Sequence, residues 1–273
     1  MSLTDPLAVS DWLTETDSMT QDVSMTSTSL KAGAGLLRDT SRNIAAAIAL
    51  LAAAGMFFVA ETVSAAAWHT PAYSYANDFV SDLGVPGPAV MFKGHLIHSP
   101  LAWLLDAGFV VNGVLVAVAA ILLLRPAGQG RMARWQRRLM IGFGVGLPMA
   151  AFLHESPGWM LPFHALGATL AMAGGNIAIL LTGLLAARLG VPGWLARVFI
   201  ALGTAGLAFF LAVQVLVLKD SAVLPHGIGA LERGAAYPVL ATEIIVGVGL
   251  LAESARLRSR SLRDSGHAAT IAA

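Results

Sequence analysis

The chain of 273 residues is 56% hydrophobic and only 12% charged, and it contains no cysteine. A soluble domain carries about 25% charged residues, so this composition indicates a membrane protein. The lack of cysteine excludes disulfides, thiolate nucleophiles and cysteine-ligated zinc. The formal net charge is +1 and no nucleic-acid-binding motif is present, so no nucleic-acid partner is expected.

Residues 1–40 are polar and lack apolar periodicity, which predicts a disordered cytoplasmic tail. Residues 41–255 hold six apolar runs, and each predicts a transmembrane helix because roughly 20 apolar residues span the hydrocarbon of a bilayer. The runs are Ile44–Ala60, Leu101–Leu124, Leu139–Leu153, Leu161–Ala187, Val198–Leu218 and Ala235–Ala252. Residues 256–273 predict a basic cytoplasmic tail. The expected fold class is therefore an all-α bundle of six transmembrane helices.

The distribution of basic residues predicts how the bundle is oriented. All but three of the 17 Lys and Arg residues fall on one side of the six runs, and only Lys93, Lys219 and Arg233 fall on the other. Because basic loops stay in the cytoplasm, this pattern places both termini there. We expect a multi-pass protein of the bacterial cell (cytoplasmic) membrane.

The outer loop after the first run, Val63–His98, is the longest gap between runs and ends in a segment with Gly and Pro at turn positions. Within it, Asp82 is suited to capping a tight turn. Gly84 is expected to take a positive φ at the same turn.

Most polar residues that could take part in binding or catalysis lie on the predicted outer side. They are Glu61, Asp78, Ser81, Asp82, His95, His98, His154, Glu155, His164, His226, Glu232 and Arg233. Arg233 is the only arginine there, and a guanidinium seeks a carboxylate, so we expect an ion pair with Asp82 or Glu155. The pair either pins an outer loop to the sixth helix or forms an anion site for a lipid phosphate or carboxylate.

Histidines at the ends of the third and fourth runs raise the question of a metal. His154 and Glu155 end the third run, and His164 lies in the first turn of the fourth. With Asp82 these residues could form a metal site with oxygen and nitrogen ligands. Zinc needs three or four ligands in tetrahedral reach, and no helix here carries a His-x3-His pair. We therefore predict no metal and no other cofactor, with the histidines hydrogen-bonding across helix ends.

Two carboxylates, Asp106 and Glu243, fall inside apolar runs. A charge at such depth costs at least ~2.5–3.5 kcal/mol, so both should face the bundle interior. They are either neutral carboxylic acids that join helices or members of a proton or cation pathway. Their similar predicted depth suggests that they share a proton.

Several short motifs, in order, carry a family resemblance. They are Ser81-Asp82-Leu83-Gly84, Ser99-Pro100-Leu101, His164-Ala165-Leu166-Gly167-Ala168, Gly229-Ala230-Leu231-Glu232-Arg233 and Tyr237-Pro238. Over about residues 40–255 the chain resembles the six-helix bacterial membrane family called domain of unknown function 998. The resemblance implies an integral membrane protein without an assigned activity. It also marks Ser81, Asp82, Gly84, His164, Glu232, Arg233 and Tyr237 as site positions.

The leading functional prediction is a binding protein, rather than an enzyme, that holds or senses a membrane lipid or other amphiphile at the outer interface. One alternative is a lipid-modifying or metal-assisted hydrolase that uses Asp82, His154 and His164. The other is a proton- or cation-coupled carrier that uses Asp106 and Glu243. The sequence does not specify an oligomeric state.

Overall fold

The structure is a computed structural model that describes residues 40–123, 130–156, 158–186, 191–218 and 225–271, with side chains as far as residue 263. The predicted disordered tail lies outside the described residues except for Thr40. Each of the six predicted runs forms a helix, and the all-α prediction is confirmed. The helices are α1 (Thr40–Ala67), α2 (Ala102–Leu123), α3 (Arg131–Phe152), α4 (Leu161–Leu184), α5 (Gly193–Leu218) and α6 (Ile228–Ile271).

Among these six described helices, all except α3 have the length and apolar composition to cross a membrane. The third helix differs because its first two turns hold Arg131, Arg134, Arg137 and Arg138. Its remaining residues are mostly apolar, and the helix packs between α2 and α4. A multi-pass membrane protein is the architecture that these helices support.

Small residues bring the helices into close contact. A methyl group at Gly146 of α3 would lie 2.6 Å from the carbonyl oxygen of Gly167 in α4. A methyl group at Gly108 of α2 would lie 2.6 Å from the side chain of Ala60 in α1. Such contacts between backbones are typical of membrane helices, where dispersion rather than water exclusion drives association.

Residues 68–101, which we call the loop cap, cover one end of the bundle. The cap contains a 3-10 helix at Ser81–Gly84 and a hairpin of two antiparallel strands, β1 (Val90–Phe92) and β2 (His95–Ile97). The sequence did not predict this hairpin. Its two-residue turn has positive φ at Lys93 (44°) and Gly94 (82°), as the twist of a hairpin requires.

The sixth helix begins at Ile228 rather than at the predicted Ala235, so Glu232 and Arg233 lie within the helix and not in a loop. It also continues through the predicted basic tail to Ile271. The basic segment is rich in Ala, Leu and Arg, which are strong helix formers, and it contains no proline or glycine before Gly266.

Candidate functional site

Arg233 forms a buried ion pair beneath the loop cap, but not with either predicted partner. Its Nε donates to Oε1 of Glu61 in α1 at 2.9 Å. The expectation of Asp82 or Glu155 was wrong because the N-terminal part of α6 faces α1 at this level, which the order of the runs does not reveal. Both side chains are buried, so each charge depends on the other for compensation.

The remaining guanidinium donors of Arg233 are also engaged. Nη1 lies 2.7 Å from the carbonyl oxygen of Tyr75 and 3.1 Å from those of Asp78 and Gly229. Nη2 donates to the hydroxyl of Tyr73. The guanidinium also lies over the Tyr75 ring, 4.7 Å from its centroid. These contacts favour a structural role for Arg233 over an anion site.

Two tyrosines complete this network. The hydroxyl of Tyr237 lies 2.9 Å and 3.0 Å from the two oxygens of Glu61, to which it donates. The Tyr73 hydroxyl donates to the carbonyl of Phe79 at 2.8 Å. Burial raises the pKa of Tyr73 above its ordinary value, so the phenol remains a neutral donor. We call Arg233, Glu61, Tyr73, Tyr75 and Tyr237 the arginine pin.

Gly229 explains how the arginine pin holds α6 against the loop cap. A methyl group at this position would lie 2.2 Å from the carbonyl oxygen of Asp78, so the close approach requires glycine. The amide of Ala230 donates to the carbonyl of Ala76 at 3.0 Å, and the amide of Gly227 donates to Oδ1 of Asn77 at 3.0 Å. The first turn of α6 is therefore fixed to residues 76–78.

A second network, which we call the acidic pocket, consists of Ser81, Asp82, Glu155, His164 and Glu232. The Ser81 hydroxyl contacts Oε2 of Glu155 and lies 3.2 Å from Oε1 of Glu232. The other oxygen of Glu232 accepts from the amide of Val80. Ser81 has only one hydroxyl hydrogen for the two carboxylates, so the pocket can hold an additional proton between them.

His164 closes the acidic pocket from α4. Its Nδ1 lies 3.1 Å from the carbonyl oxygens of both Ala150 and Leu153 at the end of α3, and it must carry hydrogen to bond them. Its Nε2 lies 3.8 Å from Oε2 of Glu155. The predicted hydrogen bond across helix ends is confirmed for His164. Burial lowers the pKa of His154 below its ordinary value, and the nearby His164 lowers it further.

The titration of the pocket follows from its burial. Burial raises the pKa of Glu155 to about 7, although the bond from Ser81 and the charge of Lys93 act in the opposite direction. The pKa of Asp82 lies well above its usual range because the carboxylate is buried near Glu155 and Glu232. Near neutral pH, Glu155 can therefore accept or release a proton.

Asp82 lies within the 3-10 helix, and its Oδ2 accepts from the amide of Phe79, in the turn that leads into this helix, at 2.9 Å. It does not cap the helix, because the N-cap residue is Val80, which has no side-chain cap bond. The prediction for Gly84 was wrong, because φ at this residue is not positive. A methyl group at Gly84 would lie 2.7 Å from Oδ1 of Asp106, so a larger residue here would displace the end of that side chain.

A cavity of about 40 Å³ lies directly below the acidic pocket. Its polar end is formed by Ser81, His164 and Glu232, and the rest of its lining is apolar. The apolar residues are Phe57, Val80, Phe109, Phe143, Leu147, Ala150, Ala168, Ala171, Met172, Ala236, Val239 and Leu240. The cavity thus connects the hydrogen-bonding groups of the pocket with the apolar interior of the bundle.

The two intramembrane carboxylates have different neighbours. Glu243 faces inward as predicted, and its Oε2 accepts from Nδ2 of Asn112 at 3.0 Å. Asp106 is only half-buried and lies beside Gly84 at the loop cap, roughly 9 Å along the axis of α2 from Asn112. The structure does not support the prediction that the two carboxylates share a proton.

Sequence reasoning did not select Asn112 or Asn176, and it placed Glu61 among the outer polar residues without pairing it with Arg233, although each of the three is buried and joins two helices. Asn176 of α4 donates to the carbonyl of Ala235 in α6 at 2.7 Å. The sequence did contain a signal for Asn112 and Asn176, because each lies inside an apolar run, where a polar side chain is costly unless it faces a partner.

The model of a family described as protein of unknown function (DUF998) matches residues 51–249. That range contains the arginine pin, the acidic pocket and both intramembrane carboxylates, and the chain belongs to this family. The resemblance drawn from the short motifs is confirmed. No curated protein and no solved structure matches the chain.

Proposed function

We propose that this protein binds an amphiphile, with the polar head in the acidic pocket and the apolar part inside the bundle. The observation that carries the proposal is the cavity, which has Ser81, His164 and Glu232 at one end and apolar side chains elsewhere. Pockets for small ligands combine an apolar lining with a few converging polar groups, and this cavity has that arrangement.

The charges of the pocket select the head group. Its carboxylates are Asp82, Glu155 and Glu232, and the nearest guanidinium, Arg233, is engaged by Glu61 and backbone carbonyls. Lys93 donates to the carbonyl of Val217 at 2.6 Å. A head with hydroxyl or amino donors therefore fits the pocket, and a phosphate would meet repulsion.

The apolar part of the ligand has a path between α4 and α6. Ala168, Met172 and Ala236 line the cavity and are only half-buried, so the cavity approaches the lipid-facing surface there. Small side chains at two of these positions leave space for an alkyl chain. The head lies against Ser81, His164 and Glu232, and the chain passes through the apolar part of the cavity toward the surface beside Ala168 and Ala236.

We further propose that the loop cap faces the outside of the cell membrane and that both termini lie in the cytoplasm. The arginines of the first turns of α3 and of the end of α6 support this orientation, because basic segments flank membrane helices on the cytoplasmic side. Reporter fusions at Tyr75 should report the outside, and fusions at Arg131 should report the cytoplasm. A cytoplasmic signal at Tyr75 would invert the proposed orientation.

The test of binding uses photoreactive amphiphiles that share one alkyl chain and differ in the head: an amine, an alcohol or a phosphate. We expect the amine and the alcohol to label the purified full-length protein at least tenfold more than the phosphate does. Ala168→Leu fills the cavity and should reduce labelling about tenfold. Ala165→Leu is the matched control, because Ala165 is exposed on the same helix. Equal labelling by all three heads, or full labelling of Ala168→Leu, would contradict the proposal.

A hydrolase that cleaves a lipid ester is the second candidate function. It is favoured by the contact of the Ser81 hydroxyl with Glu155, which in turn lies 3.8 Å from Nε2 of His164. The Ser81 hydroxyl and the Glu155 carboxylate are then a nucleophile and its base, and His164 would stabilise that carboxylate in the doubly protonated imidazolium form. An ester of the same alkyl chain should then be cleaved by the wild type and not by Ser81→Ala, whereas a pure binding protein leaves the ester intact.

A further inference from the structure

We propose that Asp78, Asp82 and His95 form a binding site for a divalent transition-metal cation of the zinc or manganese class. Each residue offers one ligand atom, and the three atoms lie within 4.8 Å of one another. The site lies within the loop cap and shares Asp82 with the acidic pocket, but metal retention can be measured whether or not an amphiphile binds.

Both carboxylates are arranged as monodentate ligands. Oδ2 of Asp78 accepts from the amide of Ser74 at 2.7 Å, and Oδ2 of Asp82 accepts from the amide of Phe79 at 2.9 Å. In each case one oxygen is fixed by the backbone, and the other is left for a different partner. Outer hydrogen bonds of this kind orient metal ligands before the metal arrives.

The free oxygen of Asp82 is the strongest indication of a ligand. Asp82 is 1% exposed, and its Oδ1 has no hydrogen-bond partner among the described residues. A buried carboxylate oxygen without a partner is costly. Glu155 and Glu232 lie close enough to disfavour its charge further, and a cation would satisfy the oxygen and offset the repulsion.

The imidazole of His95 supplies the third ligand. Its Nδ1 lies 3.3 Å from Oδ1 of Asp78, but the pair lacks hydrogen-bond geometry, and Nδ1 has no such partner in the described part of the chain. In the tautomer protonated on Nε2, Nδ1 presents a lone pair to the same point as the two carboxylates. The hairpin that carries His95 is held by the bond from Lys93 to Val217.

The ligand set selects the class of cation. Imidazole together with carboxylates suits zinc and manganese, whereas magnesium and calcium prefer oxygen ligands alone. Three protein ligands leave a coordination position for water or for a ligand atom. The sequence predicted His154 and His164 near Asp82, but neither histidine is part of this group. His95 of β2 approaches Asp82 of the 3-10 helix only in the folded loop cap.

The experiment measures metal retained by the purified, chelator-stripped full-length protein after incubation with Zn²⁺ or Mn²⁺ and desalting. We expect about one equivalent of metal per chain and a higher unfolding temperature with metal. His95→Ala and Asp78→Asn should each weaken binding at least tenfold. His98→Ala is the matched control, because His98 is exposed just after β2 and outside the ligand set.

The proposal fails if the wild type retains no metal, or if His95→Ala binds as tightly as the wild type. It also fails if His98→Ala weakens binding equally, since the metal would then be held by surface histidines. The unfolding temperatures of the metal-free variants, compared with that of the metal-free wild type, show whether a variant has lost only a metal ligand or has lost its fold. Should His95→Ala not accumulate, His95→Gln and Asp78→Asn decide the result, and retention of metal by both variants would overturn the site.

Discussion

Glu232 and Arg233 are adjacent in α6, yet they belong to networks of opposite character. Arg233 lies in the arginine pin, where its charge is compensated by Glu61 and its donors are matched by Tyr73 and backbone carbonyls. Glu232 lies in the acidic pocket, where carboxylate oxygens outnumber the hydrogen donors and a cavity adjoins them.

The difference indicates which network holds the fold and which is available to a ligand. A fully satisfied buried network stabilises one conformation and leaves little capacity for an additional partner. A pocket with an orphan oxygen, a carboxyl that titrates near pH 7 and adjacent space retains that capacity. We therefore assign structure to the arginine pin and ligand chemistry to the acidic pocket.

The largest expected effect comes from removing the cation of the arginine pin. Arg233→Gln leaves the Glu61 carboxylate buried without its partner, and breaking such a pair costs about 3–5 kcal/mol. Denaturant unfolding of the purified protein measures this loss. Arg258→Gln is the matched control, because Arg258 is exposed on the same helix and should change stability by less than about 0.5 kcal/mol.

The double variant Arg233→Gln with Glu61→Gln sharpens the comparison. It removes both charges, so it should recover part of the stability that Arg233→Gln loses. No recovery would show that the hydrogen bonds of Arg233 to the loop cap carry the stability. Wild-type stability in Arg233→Gln alone would remove the distinction between the two networks.

The acidic pocket should make stability depend on pH. The pKa of Glu155 is raised in the fold from 4.5 to about 7, so the folded state holds its proton more tightly than the unfolded state does. The stabilisation is fully present below pH 4.5 and is lost as pH rises through 7. It amounts to at most ~3 kcal/mol by linkage.

Glu155→Gln keeps an acceptor for Ser81 but does not titrate, so its unfolding free energy should vary less between pH 5 and 8. The raised pKa of Asp82 acts in the same direction and remains in this variant. Glu253→Gln, at an exposed position of α6, should retain the wild-type pH profile. Identical profiles for the wild type and Glu155→Gln would show that this carboxyl does not titrate in the pocket.

The sequence predicted the helices well because apolar runs report burial directly. It was weaker where the fold depends on contacts between distant segments. The hairpin of Val90–Ile97 has strands of only three residues, too short for an alternating pattern, and its turn uses Lys93 rather than the usual Asn or Asp. The start of α6 was placed too late because Gly227–Gly234 resembles a loop in composition.

The same limit applies to the two networks. Ser81, Glu155, His164 and Glu232 were grouped correctly, because topology placed them on one side and the resemblance marked three of them. The pairing of Arg233 with Glu61 depends on α1 packing beside α6, which the linear order does not encode. His95 was likewise known as a polar residue of the outer loop, but its approach to Asp82 arises from the hairpin.

The smallest effect is expected deep in the bundle, at Glu243, which resembles the arginine pin in its burial but has no cation partner among the described residues. Glu243 is 2% exposed, and its contact in the structure is the amide of Asn112. Since an unpaired charge in hydrocarbon is costly, we expect a neutral carboxylic acid at this position.

Glu243→Gln preserves the oxygen that accepts from Asn112, and its amide can donate to Oδ1 of Asn112, an atom without a described partner. Its unfolding free energy should therefore stay within about 1 kcal/mol of the wild type, whereas Glu243→Leu should lose about 1–3 kcal/mol by leaving Asn112 unpaired. A loss of more than 2 kcal/mol in Glu243→Gln would mean that the ionised carboxylate stabilises the fold, which would place Glu243 with the charged arginine pin.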